Sequence, residues 1–315
     1  MTKAPTLLLA MLAAASCADA APDTPTDLAA ARSAARSTGN VVDITASGLT
    51  LDAPAEIPAG WTTFRLHNRS GMTHFAVLER LPDGKTLADS EAEVVPVFQD
   101  AMDLINAGNP ADGFAEFARL PAWYFEVVFF GGPGFIAPGG TAQTSVNLEP
   151  GIYVIECYVK SGGRFHSADG MIEQIVVTEQ GSGAREPSAD VTVALSDAGI
   201  ALGGTPRPGL QTFRVEFDEQ RAHENFLGTD VHLARLADGT DMAALETWMN
   251  WVEVEGLDTP APVEFLGGIH EMPAGEAGYF TALLRPGEYA LIAEVPNPGD
   301  KGLLVTFSVP AARNR

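Results

Sequence analysis

The sequence predicts an all-β protein made of two tandem β-sandwiches, each with a short helical insertion. Three observations lead there. From Val41 onward the chain runs in short alternating apolar stretches of strand length, ended by turn residues. The second half then repeats the first in the same order. A composition of 46% hydrophobic residues, with 32 Gly and 22 Pro among 315 residues, fits a loop-rich globular chain long enough for two cores.

Residues 1–20 read as an export signal, with one Lys, an apolar run from Leu7 to Ala15 and small residues behind it. That run is too short to be a bilayer-spanning anchor. Cleavage after Ala20 competes with lipidation of Cys17 as the first residue of a lipoprotein. Ala14 stands where the lipoprotein motif usually has Leu, yet a Cys directly behind such a run is otherwise hard to explain, so lipidation is expected. The protein is then expected in a bacterial periplasm, or on the outer or cell membrane as a lipoprotein whose only membrane contact is the lipid. Residues 21–40 are small and polar without apolar periodicity, and read as a linker.

The first unit is predicted over residues 41–179. Its strands are "VVDITASGLTL", "WTTFRLHN", "THFAVLERL", "TAQTSVNLEPGIYVIECYV" and "MIEQIVVTE". Between them "TLADSEAEVVPVFQDAMDLINAGNPADGFAEFARLP" has helical spacing with acidic residues near its start, which predicts one or two helices broken at "GNP". Residues 180–189 form a second linker, and residues 190–311 the second unit. There "GWTTFRLHN" returns as "GLQTFRVEF", "FAVLERLPDGKTLAD" as "DVHLARLADGTDMAA", and "LEPGIYVIECYV" as "LRPGEYALIAEV". A helical insertion, "MAALETWMNWVEV", falls at the matching place. Similarity in this order over about 120 residues marks a duplicated domain. Two antiparallel sandwiches follow from it.

Chemistry concentrates in "ECYVKSGGRFHSADGM". With Cys17 removed or lipidated, Cys157 has no disulfide partner in an oxidising compartment. His166 follows it after eight residues and Met171 after four more, while His74 opens a strand far upstream. Taken singly, each is ordinary: an inert buried Cys, a turn or surface His, a core Met. Together, a thiolate, two imidazoles and a thioether are the donors of a blue copper centre, in which soft sulfur holds Cu(I), imidazole suits both oxidation states and a weak axial Met completes the site.

On this pattern the first unit resembles the cupredoxin family, and the chain as a whole resembles two cupredoxin-like Greek-key sandwiches. The loop spacing is the one found in the type 1 site of copper nitrite reductases, longer than in plastocyanin-like proteins. "GWTTFRLHNRSGMTHFAVLERL" and "LEPGIYVIECYV" look like the flanking cupredoxin strands, and Asn68 stands near a residue that often braces the site. The resemblance covers residues 41–178, and the second unit in fold only. It implies copper held by His74, Cys157 and His166 with Met171 axial. Phe75 after the first histidine and Glu156 before the cysteine depart from the pattern; Glu156 would either lower the potential or face solvent.

In the second unit Thr229 aligns with His74, and Ala293 or Glu294 with Cys157. That unit is therefore expected to keep the scaffold without the metal set. His223, His232 and His270 could form a separate site, but no i, i+4 or H-x-H pair supports one. No enzyme is expected: a second copper centre needs further His pairs, usually one beside the Cys, and only six His are present. A Cys-His protease does not fit the strand-and-loop context, and "GGPG" is loop punctuation without a following Lys helix. A net charge of −22 argues against nucleic acid and anionic lipid and suits a redox partner with a basic surface. The expected function is electron transfer through one mononuclear copper. A periplasmic copper carrier and a metal-free module for protein contacts are the alternatives.

Overall fold

In the computed structural model, residues 39–311 are described. The predicted export signal, Cys17 and the first linker up to residue 38 lie outside the described residues. Among those described, no helix is long and apolar enough to cross a membrane.

Ten strands build the first unit: β1 (Asn40–Ser47), β2 (Thr50–Asp52), β3 (Glu56–Asn68), β4 (Val77–Arg80), β5 (Val128–Phe129), β6 (Thr141–Leu148), β7 (Gly151–Glu156), β8 (Lys160–Ser161), β9 (Arg164–Phe165) and β10 (Ile172–Gly181). Eight build the second: β11 (Val191–Ser196), β12 (Gly199–Gly203), β13 (Gly209–Phe217), β14 (Val231–Leu236), β15 (Glu264–Ile269), β16 (Ala277–Leu284), β17 (Gly287–Ile292) and β18 (Leu304–Val309). The duplication reappears in the ladders. β1 pairs with β2, and in parallel with β3, just as β11 pairs with β12 and in parallel with β13. The antiparallel pairs β3–β6, β4–β5, β4–β7 and β7–β10 return as β13–β16, β14–β15, β14–β17 and β17–β18. The chain is mostly β and two-layered in each unit.

Alternation along the strands fills each core. Phe64 and Leu66 on β3, and Phe213, Val215 and Phe217 on β13, are all fully buried. Each such side chain contributes about 1.5–3 kcal/mol. Equivalent strands also join the halves: β6 and β16 pair antiparallel through Ser145↔Tyr279, Thr144↔Phe280 and Gln143↔Thr281. Since Thr144 and Phe280 are themselves equivalent, facing Phe64 and Phe213 in their own ladders, the seam has local two-fold symmetry. The matching loops meet beside it, with Pro133 bridging Ile269 and Ile136 bridging Leu266.

The first insertion holds three helices, one more than the upper expectation: α1 (Leu87–Glu93), α2 (Val95–Asn106) and α3 (Pro110–Glu116). A capping box at Thr86, whose N–H donates to Asp89 Oδ2 at 2.9 Å, starts α1. Pro96 then opens α2 at a position where its missing N–H costs nothing. α2 buries Val97, Ala101, Met102 and Ile105 on one stripe. The predicted break at "GNP" is where Gly108 turns at φ 81° ahead of α3. The second insertion forms only α4 (Met242–Trp248), capped by Asp241, which accepts from the N–H groups of Ala243 and Ala244. The helix stops at Trp248 because its indole N–H donates to Asp258 O at 2.6 Å and its carbonyl accepts from Leu257 N at 2.8 Å. Residues 249–259 consequently loop back toward the first unit.

Candidate metal centre

His74 sits just ahead of β4, and its backbone is fixed by mutual hydrogen bonds with Ile136, 3.2 Å from His74 N and 2.8 Å from Ile136 N. Asn68 braces the turn before it. Its Nδ2 donates to Met72 O at 2.7 Å and Ile136 O at 3.0 Å, and its Oδ1 accepts from Ser70 N at 3.0 Å. Cys157 follows β7 directly, with its N–H bonded to Met171 O at 3.1 Å. The loop between them is closed by His166 N to Val159 O at 2.9 Å and Met171 N to His166 O at 2.9 Å. Within it β8 and β9 form a small hairpin whose turn, Gly162-Gly163, has φ of 61° and 80°. Two consecutive positive φ values define the tight hairpin turn that glycine adopts without strain.

These elements bring together side chains 83 positions apart. Cys157 Sγ lies 3.5 Å from His74 Nδ1 and 3.8 Å from His166 Nδ1, and the two imidazole centroids are 5.0 Å apart. One metal bound trigonally by bonds of about 2.0 Å to nitrogen and about 2.3 Å to sulfur holds sulfur and nitrogen about 3.7 Å apart. The donors therefore stand at the edges of such a site. His74, Cys157, His166 and Met171 are all 0% exposed. The Met171 backbone bonds place it against both Cys157 and His166.

Electrostatics keeps the donors neutral without a metal. Burial pushes the Cys157 thiol up to about 12, partly offset by the Phe75 and Val159 backbone. Burial pulls His74 down to about 3, helped by His166, and pulls His166 down to about 4 against the charges of Asp169 and Asp258. His166 Nε2 lies 2.9 Å from Ser161 Oγ, which leaves Nδ1 free to face the sulfur. His74 Nε2 makes no well-formed hydrogen bond. Strand alternation turns Glu156 away from the sulfur, yet its charge still helps to raise the Cys157 thiol. It is half-buried beside Glu79 in a cleft that also touches Tyr124, Tyr158 and Trp251, and burial raises it to about 7. Phe75 packs edge-on against Phe135 and Tyr158.

Two ladders settle the alternative left open in the second unit. Val77 pairs with Glu156, and its counterpart His232 pairs with Ile292, so Ala293 occupies the place of Cys157 and Glu294 that of Tyr158. With Thr229 for His74, the second unit lacks the first unit's donors. The fold is cupredoxin-like, twice over. Its first half carries a His/Cys/His cluster, with Met171 beside it, resembling a type 1 copper site. The cupredoxin-like chain is similar to a reduced auracyanin from the photosynthetic bacterium Roseiflexus castenholzii, at 22% identity over 45% of this chain and 99% of the other, with a TM-score of 0.26. It is also similar to auracyanin A, a "blue" copper protein from Chloroflexus aurantiacus (19%, 44% and 98%, TM-score 0.28). A copper-containing nitrite reductase from Thermus scotoductus matches at 13% identity over 85% of this chain and 61% of that one, with a TM-score of 0.22. No protein-family model and no curated protein matches the sequence.

Sequence reasoning missed two features of this cupredoxin-like chain. Lys160, 0% exposed, reaches out of the ligand loop to the second unit, donating from Nζ to Trp251 O at 3.0 Å and Glu253 O at 2.6 Å. Backbone bonds from Lys160 N to Leu257 O at 2.8 Å and from Thr259 N to Lys160 O at 3.0 Å complete the clamp. The second feature corrects an expectation: His232 and His270 do come together, with Asp230 and Glu294. His223 stays apart, 3.0 Å from Thr229 Oγ1. The repeat held a signal for this, because His232 replaces Val77 and His270 replaces Gly134, two positions at the seam.

Proposed function

We propose that this is an exported electron-transfer protein, with one mononuclear copper held by His74, Cys157 and His166 and weakly by Met171. The observation that carries the reading is the pair of sulfur–nitrogen separations, 3.5 and 3.8 Å, within a set of wholly buried donors. When bound, the copper would supply a one-electron couple. The protein's part is to hold four donors of mixed softness in one geometry, so that little rearranges between oxidation states. Ser161 orients His166, Asn68 fixes the turn that presents His74, and Lys160 ties the ligand loop to the second unit. A catalytic metal keeps an open coordination position, whereas these donors are sealed from solvent. That supports electron transfer without an enzymatic reaction at the site, and it disfavours rapid hand-over of the metal as in a carrier. The acidic surface would steer a basic redox partner at low ionic strength. On this reading Cys17 is lipidated and tethers the protein outside the inner membrane.

Adding Cu(II) to the purified protein is expected to give an intense visible thiolate-to-copper band that Cys157→Ser abolishes. Binding without the band would point to copper carriage, and absence of binding would overturn both.

A further inference from the structure

Asp230 and His232 at the start of β14, His270 just past β15 and Glu294 just past β17 converge on one buried point. Each offers a donor atom within 4.8 Å of the others, and none is more than 3% exposed. Asp230 is the hub. Its Oδ2 lies 2.6 Å from His232 Nε2 and 3.8 Å from His270 Nδ1, and its Oδ1 accepts from Glu294 N at 2.7 Å. His232 Nδ1 accepts from Phe135 N at 3.3 Å. The neutral ring therefore carries its proton on Nε2 and gives it to Asp230, so His232 orients the carboxylate, the usual partnership around a metal-bound group.

Glu294 Oε1 remains without a partner, and so does His270 Nε2, on the other side of the ring from the Nδ1 that faces Asp230. Glu294 Oε2 is satisfied by the Tyr158 hydroxyl at 3.2 Å. The His270–Asp230 distance is too long for a hydrogen bond, yet lies within the reach of about 4.2 Å that two bonds of about 2.1 Å to one cation span.

We propose that Asp230, His270 and Glu294, with His232 orienting Asp230, form a second metal site for a divalent first-row cation such as Zn(II) or Co(II). Imidazole and carboxylate without sulfur is the donor chemistry of such ions. The site lies at the seam between the two units. It is one residue from the first centre, because Tyr158 follows Cys157 and its hydroxyl meets Glu294.

Total metal per chain after Zn(II) saturation and gel filtration, measured for four proteins, tests this. The expected values are two equivalents for the wild type, one for Cys157→Ser, one for Glu294→Gln and none for the double variant. Failure of the first centre would show as one equivalent that Glu294→Gln removes. A wild type whose zinc content is unchanged by Glu294→Gln overturns the second site. If Glu294→Gln does not fold, Co(II) added to Cys157→Ser decides: visible bands of four- or five-coordinate cobalt support the site, and the spectrum of hydrated Co(II) overturns it.

Discussion

Ser161 decides which nitrogen of His166 faces the sulfur. Its Oγ takes the Nε2 side at 2.9 Å and is itself held near Met72 Sδ at 3.3 Å and Thr259 Oγ1 at 3.4 Å. In Ser161→Ala the imidazole N–H loses its acceptor while still buried, which costs about 1–3 kcal/mol. The ring is then free to turn. Copper affinity is expected to drop about 10- to 100-fold, the usual cost of removing a partner behind a metal ligand. Competition titration with a Cu(I) chelator measures it, and an unchanged affinity would mean that packing alone orients His166. The ligands themselves were legible from sequence because a thiol, two imidazoles and a thioether are rare residue types at telling distances. Ser161 was not, because a serine beside two glycines is the commonest of loop residues and acquires its role only from what folds over it.

At the scale of elements, the β8–β9 hairpin and the irregular stretch after α4 work as one clamp. Burial pulls Lys160 down to about 8, against the charges of Asp258, Glu253 and Glu255, so the ammonium stays charged at neutral pH and holds its carbonyls. Lys160→Met keeps the aliphatic length but strands the Trp251 and Glu253 carbonyls, for an expected loss of about 1–3 kcal/mol. Hydrogen exchange should then quicken in residues 158–166 while the strands of the second sandwich stay protected; uniform quickening would mean that the clamp acts on the whole fold. The seam makes the opposite demand, for absence of a side chain. A Cβ on Gly134 would stand 2.6 Å from His232 Nδ1 and 2.8 Å from Gly268 Cα. Gly134→Ala is therefore expected to cost at least about 1–3 kcal/mol, as overpacking does, and to lower the midpoint of a single cooperative unfolding transition. A second, separate transition would mean that the units fold independently. Hydrophobic periodicity revealed the strands and the break at "GNP". It was silent on the seam and the clamp, since both join residues that look like loops within their own unit.

Across the whole molecule, the duplication was readable because equivalent strands keep their alternation. The buried and half-buried carboxyls and imidazoles were not, because Glu79, Glu271 and Glu294 look like solvating charges in a chain with 41 acidic residues. Their burial fixes how stability depends on pH. The metal-free fold keeps His74 near 3 and His166 near 4, with His223 and His270 lower than usual, against an ordinary value of 6.5. Below pH 6.5 the unfolded chain takes up protons that the folded chain refuses, so stability falls as the pH drops toward those folded values. Glu156 near 7 and Glu271 near 8, with Glu79 and Glu294 higher than usual, act in the other direction from an ordinary value of 4.5. Above pH 4.5 the unfolded chain releases protons that the folded chain retains, so stability falls as the pH rises toward those values. Between pH 4.5 and 6.5 the four histidines and four glutamates oppose one another, while on either flank each group changes stability by up to about 1.4 kcal/mol per pH unit. Urea midpoints of metal-free protein are thus expected to peak between pH 4.5 and 6.5. Glu271→Gln isolates one contribution: it should flatten the alkaline flank up to pH 8 and leave the acid flank unchanged. A midpoint that climbs steadily to pH 8 in the parent protein would show that these carboxyls meet water.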